Sequence, residues 1–422
     1  MRLFIGAASF AVVLAAPALA QTPSVTWQRV IELNGVRGQA TDMQIAPNGD
    51  MVVAGHIPKP GSGTGKAQND AWVARFSPDG RKVWSRTLGS PLRDEALGLA
   101  IDSAGAVFIT GWRDVQEVRQ WSAFAAKYAA DGALQWERTI GGSEERIAAG
   151  EIALLSDGSI LLAGREHVRD EAGSRPVLIR LNPDGNVDWV RRVDGQPDPS
   201  VGGGPWVYRN GQPYASDGAR ITSVVNPDTA IIAFDRISIM RGNFLAGCVV
   251  VSLEDGATTD EACPKGVLDG FKAGKSYHGG MSSVPATSDI VVKKFRPDGS
   301  IEWQRKPETP FGDGIKAVAE TSDGGVLAAG FQLNSSTVEF HNWDALLVRF
   351  DAGGNELWRR VFGGSRRDEF DAVAVLPDGS IIVAGATGSQ PGPVEFAPWI
   401  MRLNSQGELE GEALKELQDR QF

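Results

Sequence analysis

Residues 156–189 read SDGSILLAGREHVRDEAGSRPVLIRLNPDGNVDW. An Asp-Gly turn at 157–158 leads into a short apolar run ending at Gly164. A second turn, Asn-Pro-Asp-Gly at 182–185, is followed four residues later by Trp189. Asp and Gly tolerate positive φ, and Pro presets the first torsion of a turn. Two tight turns within about 35 residues predict four short antiparallel strands, not helices.

The same grammar recurs along the chain. Trp27, Trp84, Trp136, Trp189, Trp303 and Trp358 are spaced by 57, 52, 53, 114 and 55 residues. All but Trp27 stand four residues after a turn glycine (Gly80, Gly132, Gly185, Gly299, Gly354). Five residues before each glycine is a base: Arg75, Lys127, Arg180, Lys294 and Arg349. A sixth hairpin, at Gly407, keeps Arg402. Inner turns at Gly49, Gly105, Gly158, Gly324 and Gly379 are each followed six residues later by another glycine. Units of four short strands repeating at about 53 residues predict the blades of an all-β β-propeller in one domain, 21–422. A many-stranded sandwich needs no such periodicity.

The 114-residue gap leaves the blade count at six, with seven as the alternative. The extra hairpin for seven is at Gly256, where Val251 replaces the base and Asp260 the Trp. Six blades put two insertions, about 194–219 and 236–287, into blade four. The last unit has Gly411 where its Trp is expected, whereas SVTWQRV has Trp27 with no preceding hairpin. The N-terminal strand is therefore expected to complete the last blade and remove the open edge. A two-residue outer turn puts Arg75 across from Trp84 in a cation–π pair. A three-residue turn with a glycine bulge puts them on opposite faces.

The pattern Trp, Gly-Gly, Asp-Gly, Ala-Gly, Asp-Gly and Trp again resembles bacterial exported β-propeller repeats related to the quinoprotein-like family. Dehydrogenases of that kind typically use adjacent cysteines, a stacking Trp and calcium. This chain has no adjacent cysteines. The resemblance implies the fold and leaves a quinone or calcium as secondary expectations.

Residues 1–20, MRLFIGAASFAVVLAAPALA, have the form of a Sec signal peptide cut after Ala20, predicting a periplasmic or secreted product without membrane insertion. In such a compartment Cys248 and Cys263 are expected to form a disulfide, contributing about 3 kcal/mol; two buried thiols are the alternative. The net charge of −10 argues against nucleic acid as a partner. GSGTGKA at 61–67 lacks phosphate-loop spacing, and neither G-x-S-x-G nor H-E-x-x-H occurs.

Function is expected where the repeat is broken. Trp206, Tyr208, Tyr214, Tyr277 and His278 fall in or beside the two blade-four stretches, among long loops that a rigid scaffold can present. The loop after each second strand projects from the same end and contributes His56, Trp112, Arg165 and Asp235. Asp94, Asp313 and Asp368 are placed at the channel rim, either as turn caps or as ligands for a hard cation. The reading is a non-catalytic scaffold binding a protein or small molecule. The alternative is an enzyme at the axial channel: a quinoprotein-like oxidoreductase, a lyase or a hydrolase.

Overall fold

The computed structural model describes residues 26–31, 38–59, 68–116, 120–142, 146–167, 174–192, 208–209, 212–213, 219–226, 229–238, 243–252, 254, 258–259, 273–274, 291–295, 301–305, 313–333, 343–389 and 395–420. Five four-stranded antiparallel sheets are described with their side chains. The first runs Gln39–Ile45, Met51–Pro58, Asn69–Phe76, Lys82–Leu88. The second runs Asp94–Ile101, Val107–Gln116, Gln120–Tyr128, Leu134–Ile140, and the third Ile147–Leu154, Ile160–His167, Ser174–Leu181, Val187–Arg192. A later sheet comprises Asp313–Glu320, Val326–Leu333, Trp343–Phe350 and Glu356–Phe362; it is called the sixth below. The closing sheet comprises Asp368–Val375, Ile381–Thr387, Ala397–Leu403 and, from the other end of the chain, Trp27–Val30.

Between the third and sixth sheets lie a two-residue ladder, Tyr208–Arg209 with Gln212–Pro213, and two larger sheets. A fourth sheet joins Ala219–Asn226, Thr229–Ser238, Asn243–Ser252 and Thr258–Thr259, and a fifth, three-stranded, joins Ala273–Gly274, Val291–Phe295 and Ile301–Arg305. The stretch 236–287 is thus not simply an inserted loop. It holds the strand Asn243–Ser252 and a hairpin that pairs Val251 with Thr258. Without a base at 251 and a Trp at 260, that hairpin carries no repeat marker in the sequence.

Middle strands such as Met51–Pro58 and Asn69–Phe76 are apolar on both faces because both faces are covered. Each described core spans a seam between neighbouring sheets. Val52, Val73 and Trp84 of the first sheet meet Leu99, Ile109 and Phe124 of the second, and Trp27, Ala372 and Ile400 of the closing sheet meet Met51 and Trp72 of the first. Side chains of consecutive sheets therefore interlock, as in stacked-sheet architectures.

The inner strand of each of these five sheets carries one extra residue (Thr41, Leu97, Gly150, Lys316, Asp371). This bulge brings a backbone carbonyl against the second strand. A Cβ on Gly55, Gly111, Gly164, Gly330 or Gly385 would lie 1.8–2.0 Å from that oxygen, which is why the second strands keep glycine there.

The expected clasp is present. Trp27 pairs with Arg402, the register in which Trp84 pairs with Arg75. After the Gly407 turn the chain forms a helix, α1 (Gly411–Arg420), in place of an outer strand. The Gln28 side chain locks the junction: its Nε2 donates to the Ala413 carbonyl at 3.2 Å and its Oε1 accepts from the Trp399 indole at 3.1 Å.

The outer turn combines features of both expectations. Gly80 has φ +79° and its N–H donates to the Ser77 carbonyl, a type I turn closed by a glycine bulge. A further register shift nevertheless brings Arg75 level with Trp84. The two do not stack. Arg75 pairs with Asp50 at 2.7 Å and Asn48 at 2.8 Å, while the Trp84 ring carries Arg86 at 5.8 Å.

Five of the six repeated tryptophans are seen to grip the next sheet instead. Trp84 donates from its indole to the Ala130 carbonyl at 2.9 Å, and Arg86 Nε donates to the Gly132 carbonyl at 2.8 Å. The ring lies flat over Gly132, where a Cβ would come within 2.7 Å of it. Trp27 over Gly80, Trp136 over Gly185, Trp303 over Gly354 and Trp358 over Gly407 repeat the contact. The arginine two residues after each Trp stacks on it, at 5.3–6.0 Å for Arg29, Arg86, Arg138, Arg191, Arg305 and Arg360. Gly132→Ala is therefore expected to lower stability by about 1–3 kcal/mol from backbone strain alone, before any displacement of Trp84. Gly142→Ala, with nothing within 4 Å of its Cβ, is the control. Equal urea midpoints for the two would contradict the clamp.

Candidate functional site

Two ends are distinguished by chain direction. The lower end carries the glycine turns and the Trp–Arg clamps. The upper end is where inner strands begin and second strands finish.

The lower end is ionic but self-satisfied. The repeated base of the third strand binds the carboxylate of the inner turn: Arg180 with Asp157 at 2.5 Å, Arg349 with Asp323 at 2.6 Å and Arg402 with Asp378 at 2.5 Å. The Thr321 hydroxyl, helped by the Gly325 N–H and Arg349, lowers the Asp323 pKa to about 2. A depressed folded pKa contributes stability above the unfolded value of about 3.9, and that contribution is lost as pH falls towards 2. Asp323→Asn should thus be less stable than the parent at pH 7, with the gap closing in acid. A gap that is constant from pH 7 to 2 in urea unfolding would refute this.

At the upper end a polar network crosses the seam between the sixth and closing sheets. Lys316 Nζ lies 3.0 Å from Glu369 and 2.8 Å from Asp371. The Gln39 side-chain amide, from the first sheet, donates to both carboxylates at 2.8 Å, and Arg367 reaches Glu369 at 3.0 Å. Burial acts to raise both acids. Lys316 and Arg367 outweigh it at Glu369, leaving that carboxyl at about 2. For Asp371, burial together with the Glu369 charge leaves the pKa raised. His56, register partner of Gln39, is half-buried, and its buried Nδ1 has no hydrogen-bond partner. Burial lowers its pKa, against the opposing pull of Glu95 and Asp371.

Aromatic side chains stacked with arginine also stand at the upper end. Arg93 lies 5.2 Å from the Trp112 ring, Arg146 lies 5.7 Å from Trp121, and Arg367 is held between Trp343 at 3.7 Å and Phe396 at 4.9 Å. All three tryptophans are half-buried.

The expected site residues divide. His56 and Trp112 join the upper-end cluster, and Arg165 is exposed at the same end of the third sheet, opposite Ala148. Asp94 and Asp368 are fully buried and engaged. Asp94 accepts the Ser90 N–H at 2.6 Å and pairs with Arg113 at 3.0 Å. Asp368 accepts the Thr387 hydroxyl at 2.5 Å and the Ser389 hydroxyl at 2.7 Å. Both serve as caps for the turn entering their sheet. Asp313 opens its inner strand opposite Gln332, and Asp235 pairs in register with Ala246. Tyr208 pairs with Pro213 in a two-residue ladder, and Cys248 with Ala233. Trp206, Tyr214, Tyr277, His278 and Cys263 lie outside the described residues, and so does the Cys248–Cys263 bond. Among the described residues, no three His, Cys, Asp or Glu side chains are grouped to hold a metal ion. Glu95, Glu369, Asp371 and Lys316 were not singled out from sequence. The recurrence of Arg-Asp-Glu at 93–95 and 367–369 was the available signal.

The third sheet supplies the decisive comparison. Residues 155–188, its inner turn through its outer strand, match the model of a domain of unknown function described as a beta-propeller (DUF5122). The chain is a β-propeller. Among solved structures, a protein of unknown function from Dyadobacter fermentans is 11% identical with a TM-score of 0.47, over 91% of this chain and 100% of that one. The β-propeller domain of the Trilobed protease from Pyrococcus furiosus is 9% identical, TM-score 0.40, over 89% and 98%. A catalytically inactive virginiamycin B lyase from Staphylococcus aureus, solved with quinupristin, is 11% identical, TM-score 0.46, over 90% and 99%. No curated protein matches the propeller sequence.

Proposed function

We propose that this propeller is an exported, non-catalytic scaffold that binds a protein or small ligand through its upper end. The carrying observation is an asymmetry. At the lower end Trp27, Trp84, Trp136, Trp303 and Trp358 are committed to neighbouring turns, whereas Trp112, Trp121 and Trp343 are half-buried beside arginines at the end that holds the polar network. Aromatic and arginine side chains are the residue types that dominate binding surfaces. The signal-peptide form of residues 1–20 supports the exported part of this reading. The two sheets between Ala219 and Arg305, together with the 114-residue spacing, favour seven blades over six.

Deleting 236–287 is a poor test because it removes the strand Asn243–Ser252. Native mass spectrometry of the protein purified from its own compartment is better. A bound mass that is lost on Trp112→Ala, with folding intact, is the expected result. A bound mass unchanged in that variant would overturn the assignment to this end. The enzyme alternative keeps one specific support, the carboxylates Glu369 and Asp371, whose pKa values are driven apart beside Lys316. A metal or organic redox group in the same spectrum would favour it.

A further inference from the structure

The two Arg-Asp-Glu repeats occupy equivalent positions, and the ring treats their glutamates differently. Glu369 precedes Phe370, register partner of the second-strand Gly385; Glu95 precedes Ala96, partner of Gly111. In the seam before Glu369, the bulge residue is Lys316. Its ammonium sits 3.0 Å from Glu369 and 5.9 Å from the centre of the Phe331 ring. In the seam before Glu95, the bulge residue is Thr41, whose hydroxyl turns to the Ala96 carbonyl at 2.8 Å. The residue matching Phe331 there is His56, one position past its own second-strand glycine.

The other groups that neutralise Glu369 are turned aside or replaced around Glu95. Arg93, the counterpart of Arg367, pairs with Asp114 at 2.8 Å and stacks on Trp112. Leu97 stands where the other seam has Asp371. Among the described residues Glu95 receives one hydrogen bond, from the Asn69 amide at 3.3 Å. Beside it the half-buried His56 has a buried, unpartnered Nδ1, and Glu95 is the first of the charges that its ring feels. A carboxylate with no cation at ion-pair distance among the described residues, and an imidazole nitrogen without a partner, therefore mark the place that Lys316 fills one seam earlier.

We propose that this seam, between the first and second sheets, binds the ammonium group of a small primary amine, with Glu95 as counter-ion and His56 beneath it. An ammonium has three donors and no acceptor, which suits a carboxylate, an imidazole nitrogen and a hydroxyl. Lys316 against Glu369 is the internal precedent for that geometry. The assignment rests on the upper end being a binding end, and it names the ligand class.

Butylamine hydrochloride is the probe and 1-butanol its neutral control, at pH 7.5 and physiological salt. With four histidines in the chain, the imidazole nitrogens of labelled protein can be followed individually by NMR. Butylammonium should shift His56 saturably and butanol should not. Glu95→Gln should weaken the response at least about tenfold, the loss expected for a charge-assisted bond. Thr41→Lys should supply the ammonium from within, moving His56 as the amine does and abolishing its response. A His56 signal indifferent to butylamine, or a response undiminished in Glu95→Gln, overturns the ammonium site. If His56 ignores butylamine yet moves with a ligand recovered alongside the protein, the amine assignment fails while the binding end survives.

Discussion

Trp27→Ala should lower the stability of the whole ring by about 3–5 kcal/mol, the range for deleting a buried aromatic side chain. Trp27 is 4% exposed. Its indole donates to the Pro78 carbonyl at 3.1 Å, and its ring covers Gly80 of the first sheet. Arg29 stacks on it at 5.7 Å and donates to the Gly80 carbonyl at 3.3 Å. One side chain therefore joins the closing sheet to the first, so its loss opens the seam where the two ends of the chain meet. Trp27→Phe keeps part of the packing and loses the N–H bond, and should fall between parent and alanine variant. Amide exchange at Gln28–Val30 provides the local readout. If Trp27→Ala unfolds like the parent while those amides stay protected, the clamp is not what closes the ring.

Lys316→Met should cost a comparable amount, about 3–5 kcal/mol at neutral pH, because it leaves Glu369 and Asp371 buried without their shared cation. Its pH dependence has a definite sign. In the parent, the depressed pKa of Glu369 contributes stability above the unfolded value of about 4.3, lost as pH falls towards 2. Without Lys316 burial and the Glu369 charge dominate at Asp371, so that acid binds a proton more readily folded than unfolded. The variant should then gain stability relative to the parent between pH 7 and 5. A penalty independent of pH would mean that Lys316 acts by packing alone. Adding Glu369→Gln and Asp371→Asn should recover most of the loss, since it removes the buried carboxylates that Lys316 had paired, while Arg367 keeps its stacking on Trp343 and Phe396.

Much of the architecture was legible because it is repetitive. The turn glycines, the spacing of Trp and the orphan Trp27 each have a local cause that sequence displays, and the strands and clasp follow from them. The partners of the repeated side chains were less legible. Arg75 faces Trp84 in register, yet its guanidinium turns to Asp50, since a carboxylate offers more than a ring already stacked by Arg86. The Trp-x-Arg spacing at Trp27, Trp84, Trp136, Trp189, Trp303 and Trp358 was in plain view and gives the clamp. The fourth sheet was hidden because Val251 and Asp260 replace its markers. For the upper end, sequence reached His56 and Trp112 through loop position. It missed Lys316 and Asp371 because a bulge, not alternation, brings them onto the network.

The most direct test of the binding end places a photo-cross-linking residue at one of two exposed positions, Arg165 at the upper end or Asp131 in a lower-end turn. Irradiation in the native compartment should capture a discrete protein or small-molecule adduct from position 165 and none from 131. Capture from 131 alone, or the same adducts from both, would contradict the account.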